Sequence, residues 1–117
     1  MNILIKFTNL DPTPAIKKYV EEKIGSTARF VKRWDKDGAI EAHIELARRS
    51  FHHRKGDVFK AEVNLRLSGK ILRAVERDYD IRIAIDKVKN KLHSEVKKYK
   101  ELREPGGGRR AARRRAD

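Results

Sequence analysis

The chain has 117 residues, enough for one domain with a modest core, and 38% of them are hydrophobic against 40% charged. Its formal charge of +13, from 30 basic and 17 acidic side chains, attracts polyanions and speeds their encounter. With no cysteine, disulfides and thiolate metal sites are excluded. The N-terminus MNILIKF lacks a signal peptide's long apolar run. No segment nears the roughly 20 apolar residues that span a bilayer, so a soluble cytoplasmic protein without membrane contact is expected.

Residues 2–8 alternate, with Ile3, Ile5 and Phe7 on one face and Leu4 and Lys6 on the other, which predicts a half-buried strand. Thr13 is placed to cap a helix whose first residue is Pro14, where a missing N–H costs nothing. Ile16, Tyr19, Val20 and Ile24 follow at helical spacing, and the apolar Ala28, Phe30 and Val31 extend a ragged helix to Phe30. Trp34 to Gly38 reads as a loop. Residues 39–47 alternate again, with Ile40, Ala42, Ile44 and Leu46 opposite Glu41, His43 and Glu45. A basic loop over 48–57 leads to a strand at 58–67, with Phe59, Ala61, Val63, Leu65 and Leu67 inward. Ser68-Gly69 is a hairpin turn signal, and residues 70–77 form a fourth strand with Leu72 and Ala74 on one face.

Asp80 caps a second, long helix running to about Glu104. Its apolar stripe is Ile81, Ile85, Val88, Leu92, Val96, Tyr99 and Leu102, stepping by four and three residues. Pro105 and the three glycines after it stop the helix, and the arginine-rich end is too short and too charged to bury itself. Residues 1–104 are therefore one α+β domain of order β-α-β-β-β-α, with residues 105–117 a disordered basic tail. Three consecutive antiparallel strands make a meander, the first strand joins its edge, and two helices cover one face of the four-stranded sheet. The arrangement is like that of a double-stranded RNA binding domain.

No enzymatic constellation emerges. The serines lack a nucleophile-elbow context, and the triple glycine has neither a strand before it nor Lys-Ser/Thr after it. His52-His53 lacks the further ligands a metal needs, so no cofactor or metal is expected. His43 and His93 read as surface residues, and Glu41 and Glu45 as part of a solvated sheet face.

The cations are more informative. Residues 80–103 carry eight basic against four acidic side chains on one helix. Lys87, Lys91 and Lys98 fall along one flank of the stripe, and Arg82, Lys89, Lys97 and Lys100 along the other. The first helix adds Lys17, Lys18 and Lys23, with Arg29 just beyond. Side by side, the helices would bring these residues to one outward surface able to hold RNA phosphates. A solvated lysine-rich face is the plainer account of the same charges. Tyr79, Phe51 and Trp34 are candidates for base stacking or for packing.

Several segments carry a resemblance. They are Thr13 to Lys17, Val20 with Lys23-Ile24, Phe59 to Val63, and Gly69 to Ala74. Asp80 follows, then Ala84 to Asp86, Lys91-Leu92 and Lys97 to Tyr99. In this order and spacing, over roughly residues 1–102, the chain resembles the ribosome hibernation promoting factor family, which includes ribosome-associated inhibitor A. The family's fold has the same strand and helix order. The resemblance implies a non-enzymatic, monomeric factor that binds 16S rRNA of the small ribosomal subunit in the channel used by mRNA and tRNA. There it would block translation in stress or stationary phase. By the same resemblance the rRNA contacts fall on Lys17, Lys23, Lys87, Lys91, Lys97 and Lys98. Glutamate in place of Lys87, Lys91 and Lys98 is then expected to abolish ribosome association while leaving unfolding nearly unchanged. The chain departs from the family pattern at Arg82, often Tyr, at Ser94, often Arg, and from Gly25 to Ala28, usually a stronger helix former. The rival functions are a freestanding double-stranded RNA binding module and an adaptor that modulates a transcription factor.

Overall fold

The computed structural model describes residues 1–35, 38–50 and 56–103. The expected tail, the His52-His53 pair and Phe51 lie outside these residues. In chain order the elements are β1 (Asn2–Thr8), α1 (Pro14–Gly25), β2 (Glu41–Ser50), β3 (Asp57–Leu67), β4 (Lys70–Asp78) and α2 (Ile81–Arg103). The sheet order is β1-β2-β3-β4. β1 runs parallel to β2, and the other two pairs are antiparallel. A parallel pair cannot be closed by a hairpin, so the chain crosses over through α1 and the turns after it.

Local chemistry fixes the ends of the elements. Thr13 Oγ1 accepts the N–H of Ile16, with Pro14 in the first helical turn. Asp80 Oδ1 accepts the N–H groups of Arg82 at 2.8 Å and Ile83 at 3.3 Å, which caps α2. Between β3 and β4, Gly69 takes φ of +74°, a conformation that strains any L side chain.

Strand register lines up the covered face in rows. Ile5, Ile44, Val63 and Ala74 form one row, and Ile3, Ala42, Leu65 and Leu72 the next. Val20 and Ile24 of α1, and Ala84, Ile85, Val88, Leu92, Val96 and Tyr99 of α2, close the core over these rows. α2 packs on β3 and β4, and α1 packs beside it and on β1.

The structure changes four expectations. α1 is α-helical only to Gly25, after which the chain winds on in 3-10 form over Ser26–Phe30. Trp34 belongs to a second 3-10 turn, Lys32–Trp34, and packs edge-on against Tyr99 with ring centres 5.1 Å apart. Strands β2 and β3 reach further into the basic segment than alternation suggested, to Ser50 and from Asp57. Leu102 is 86% exposed although it continues the stripe; among the described residues Tyr99 is the last buried side chain of α2.

Candidate nucleic-acid interface

The two helices meet along a seam, and the seam is cationic. Tyr19 of α1 donates its hydroxyl hydrogen to Asp86 Oδ1 of α2 at 2.7 Å. That hydrogen bond raises the Tyr19 pKa, with burial and the Asp86 charge adding to it. Lys23 Nζ lies 3.5 Å from the same carboxylate and 5.3 Å from the centre of the Tyr19 ring. Arg82 sits 5.5 Å from that ring and supplies a second cation over Tyr19.

Further along the seam, the 3-10 turn Ser26–Phe30 docks on the middle of α2. Thr27 is fully buried, and its hydroxyl lies 2.8 Å from His93 Nε2. Phe30 meets the His93 ring edge-on at 5.1 Å. Arg29 lies 4.9 Å, and Lys100 5.8 Å, from the centre of the Phe30 ring. Burial lowers the His93 pKa, and the positive charges of Lys89 and Arg29 lower it further. His93 is thus a half-buried joint between two elements, contrary to its expected place on the surface. The spacing carried a clue, since His93 shares a flank with Lys89, Lys97 and Lys100. What it docks against depends on where the chain turns after Gly25.

The ten candidate contacts do not form one surface. Lys23, Arg29, Arg82, Lys89 and Lys97 follow the seam. Lys87 and Lys91 lean the other way, over the free edge of β4. Lys87 Nζ donates to the Arg77 carbonyl at 2.8 Å and lies 3.7 Å from Asp78 Oδ1. Lys91 Nζ reaches the Val75 carbonyl at 3.5 Å. Lys98, on the same flank, lies 3.5 Å from Glu95. Lys17 and Lys18 are exposed on α1. Lys17, two positions before Tyr19, emerges on the far side of that helix from the seam. Among the described residues, Lys17, Lys18, Arg29, Arg82, Lys89 and Lys97 have no ion-pair partner.

The open face of the sheet handles charge differently. Thr8 donates to Glu45, whose other carboxylate oxygen lies 2.9 Å from Lys60 Nζ. Lys60 also meets Glu62 at 3.4 Å, and Arg73 meets Glu62 at 3.1 Å. The Lys60 and Thr8 hydrogen bonds hold the Glu45 carboxyl below its usual range, and the same pair raises Lys60. Across this ladder, acids and bases neutralise one another. Glu41 and His43, 3.2 Å apart, belong to the same half-exposed face. Among the described residues no group of His, Asp and Glu is placed to hold a metal. None of the helices is long and apolar enough to cross a membrane, again among the described residues.

Fold and charge together define an α+β domain with a cationic helical side and a sheet face whose carboxylates are paired with bases. The chain belongs to the family described as Sigma 54 modulation protein / S30EA ribosomal protein, which it matches over residues 3–104. It is 39% identical over 92 residues to the ribosome hibernation promotion factor of Staphylococcus aureus strain COL, a match covering 79% of this chain and 44% of that protein. Its identity to the ribosome hibernation promotion factor of Bacillus subtilis strain 168 is 30% over 100 residues, covering 86% and 49%. The chain thus spans about half the length of these relatives. Among solved structures, the N-terminal domain of Thermus thermophilus Protein Y superposes with a TM-score of 0.66 at 32% identity, covering 85% of this chain and 99% of that domain. A ribosomal subunit interface protein from Coxiella burnetii shares the fold, with a TM-score of 0.63 at 22% identity over 86% of this chain and 98% of that one.

Proposed function

We propose that this chain is a non-enzymatic ribosome hibernation factor of the cytoplasm. It binds as a monomer to 16S rRNA of the small subunit, in the channel that carries mRNA and tRNA, and stops translation by filling that channel. The observation that carries this reading is the set of cations left without ion pairs on the helical side. On the open sheet face Glu41, Glu45 and Glu62 are each matched by a base, while among the described residues the helical side keeps Lys17, Lys18, Arg29, Arg82, Lys89 and Lys97 without an ion-pair partner. Such cations gain free energy by displacing counter-ions from phosphates, and a rigid body reads folded RNA by its shape. The names of the Staphylococcus and Bacillus relatives support the ribosome as the target.

Sedimentation tests the proposal. The chain should travel with small subunits and be displaced by mRNA together with initiator tRNA. Equal binding to free RNA duplexes would favour the duplex-binding module instead. Binding that survives both high salt and RNase would favour a protein-interaction adaptor.

A further inference from the structure

A cavity of about 280 Å³ opens between the 3-10 turn Ser26–Phe30 and α2, lined by Phe30, His93, Val96, Lys97 and Lys100. We propose that it receives one unpaired base of a bound RNA strand, with the flanking phosphates held by the surrounding lysines and Arg29. This deepens the functional reading above and rests on its premise that the helical side meets RNA.

Three observations converge on such an occupant. The first is size: the cavity lies near the small end of ligand sites, which run roughly 300–1,000 Å³, and so suits a single planar ring system. The second is its wall. Phe30 supplies an aromatic ring and Val96 an aliphatic floor, surfaces on which any base can stack. His93 commits Nε2 to Thr27, while its Nδ1 has no partner among the described residues and is left to meet a base edge. The third is charge. Lys97 and Lys100 line the cavity, Arg29 lies against Phe30, and Lys89 and Arg29 are near enough to act on His93. No carboxylate is among the lining residues. An apolar slot ringed only by cations fits a ligand with a flat apolar part and an anionic part, which describes one nucleotide. Arg29 and Lys100 rest over Phe30, and both are long side chains that can swing from the ring to the phosphates as a base enters.

The test uses the whole chain labelled for NMR of its histidine and phenylalanine rings. The probes are a single-stranded hexanucleotide, a blunt-ended RNA duplex with every base paired, and inorganic phosphate. The hexanucleotide should shift the His93 and Phe30 ring signals, while the duplex and phosphate leave them in place. Phe30→Leu keeps apolar volume but removes the stacking face, and should weaken hexanucleotide binding about tenfold. A Lys97→Gln, Lys100→Gln double variant, whose changes touch little of the core, should weaken it as well. The proposal is overturned if the duplex or phosphate moves His93 as the hexanucleotide does, or if both variants bind as wild type does. A His93 shift that follows protein concentration without RNA would mark the cavity as a contact between copies and also overturn it. Wild-type chain that ignores ribosomes yet shows the His93 response would sink the ribosomal reading while leaving the base site standing.

Discussion

The division of the cations between the seam and the β4 edge makes a prediction about which lysines hold phosphate. Lys18 and Lys97 are exposed and have no ion-pair partner among the described residues. Lys87 is already held by Asp78 and the Arg77 carbonyl, and Lys91 by the Val75 carbonyl. Replacing Lys18 and Lys97 with Gln should leave the unfolding midpoint unchanged. Each phosphate left without its lysine should lower the slope of log affinity against log salt by about 0.7–0.9, so roughly 1.5 for the pair. Over a fourfold rise in salt, the double variant would then lose about eightfold less affinity than wild type. The Lys87→Gln, Lys91→Gln variant should change the slope less, because Asp78 already offsets one charge. Its cost falls on stability, with the exposed Lys87–Asp78 pair worth about 0.2–1 kcal/mol and two edge carbonyls left uncovered. Fluorescence anisotropy of labelled chain on small subunits, read across a salt series, measures both slopes. If the Lys87, Lys91 variant loses as much slope as the Lys18, Lys97 variant, the division is wrong. The structure also revises the expected outcome of charge reversal. A glutamate at position 87 would face Asp78 and a carbonyl oxygen, so the triple reversal should lower stability as well as binding.

Other expectations follow from the core and its joints. Leu92→Ala, at a fully buried position over the sheet, should cost about 2–5 kcal/mol in urea unfolding. Thr27→Val leaves His93 Nε2 without its partner and should cost about 1–3 kcal/mol; a Thr27→Val, His93→Phe double variant should recover much of that, and strict additivity would argue against the joint. Stability should fall as pH drops below about 6.5, because the unfolded chain takes up a proton that folded His93 resists; the fall should end once pH is below the lowered folded pKa, and His93→Gln should flatten it. Glu45 acts in a more acid range: its lowered pKa gives stability that is present above about pH 4.3 and lost as pH falls through the folded value, a loss that Glu45→Gln should abolish in acid titration followed by circular dichroism.

Alternation and helical spacing were enough to place all four strands, both helices and the inward side chains from Ile3 to Tyr99. Each of those signals is local: burial on one face imposes a period of two or of 3.6, and Thr13, Asp80 and Gly69 mark ends by the backbone groups they satisfy or the φ they permit. The same spacing separated the two cationic flanks of α2. It could not say what each flank faces. That depended on α1 lying on one side of α2 and the bare edge of β4 on the other, which turned Lys87 and Lys91 toward strand carbonyls and Lys23 and Arg82 toward Tyr19. Nor could spacing extend the stripe safely to Leu102, since burial needs a second layer as well as the right angle around the helix. His93 is the clearest case. Its sequence neighbours are surface cations, and only the 3-10 turn, arriving from more than 60 residues away, buries a threonine hydroxyl against it. Periods, caps and total charge are properties of short stretches of chain and are legible residue by residue. Which charges meet a partner, and which stay open to one, came from packing, because those pairings join residues that no local rule relates.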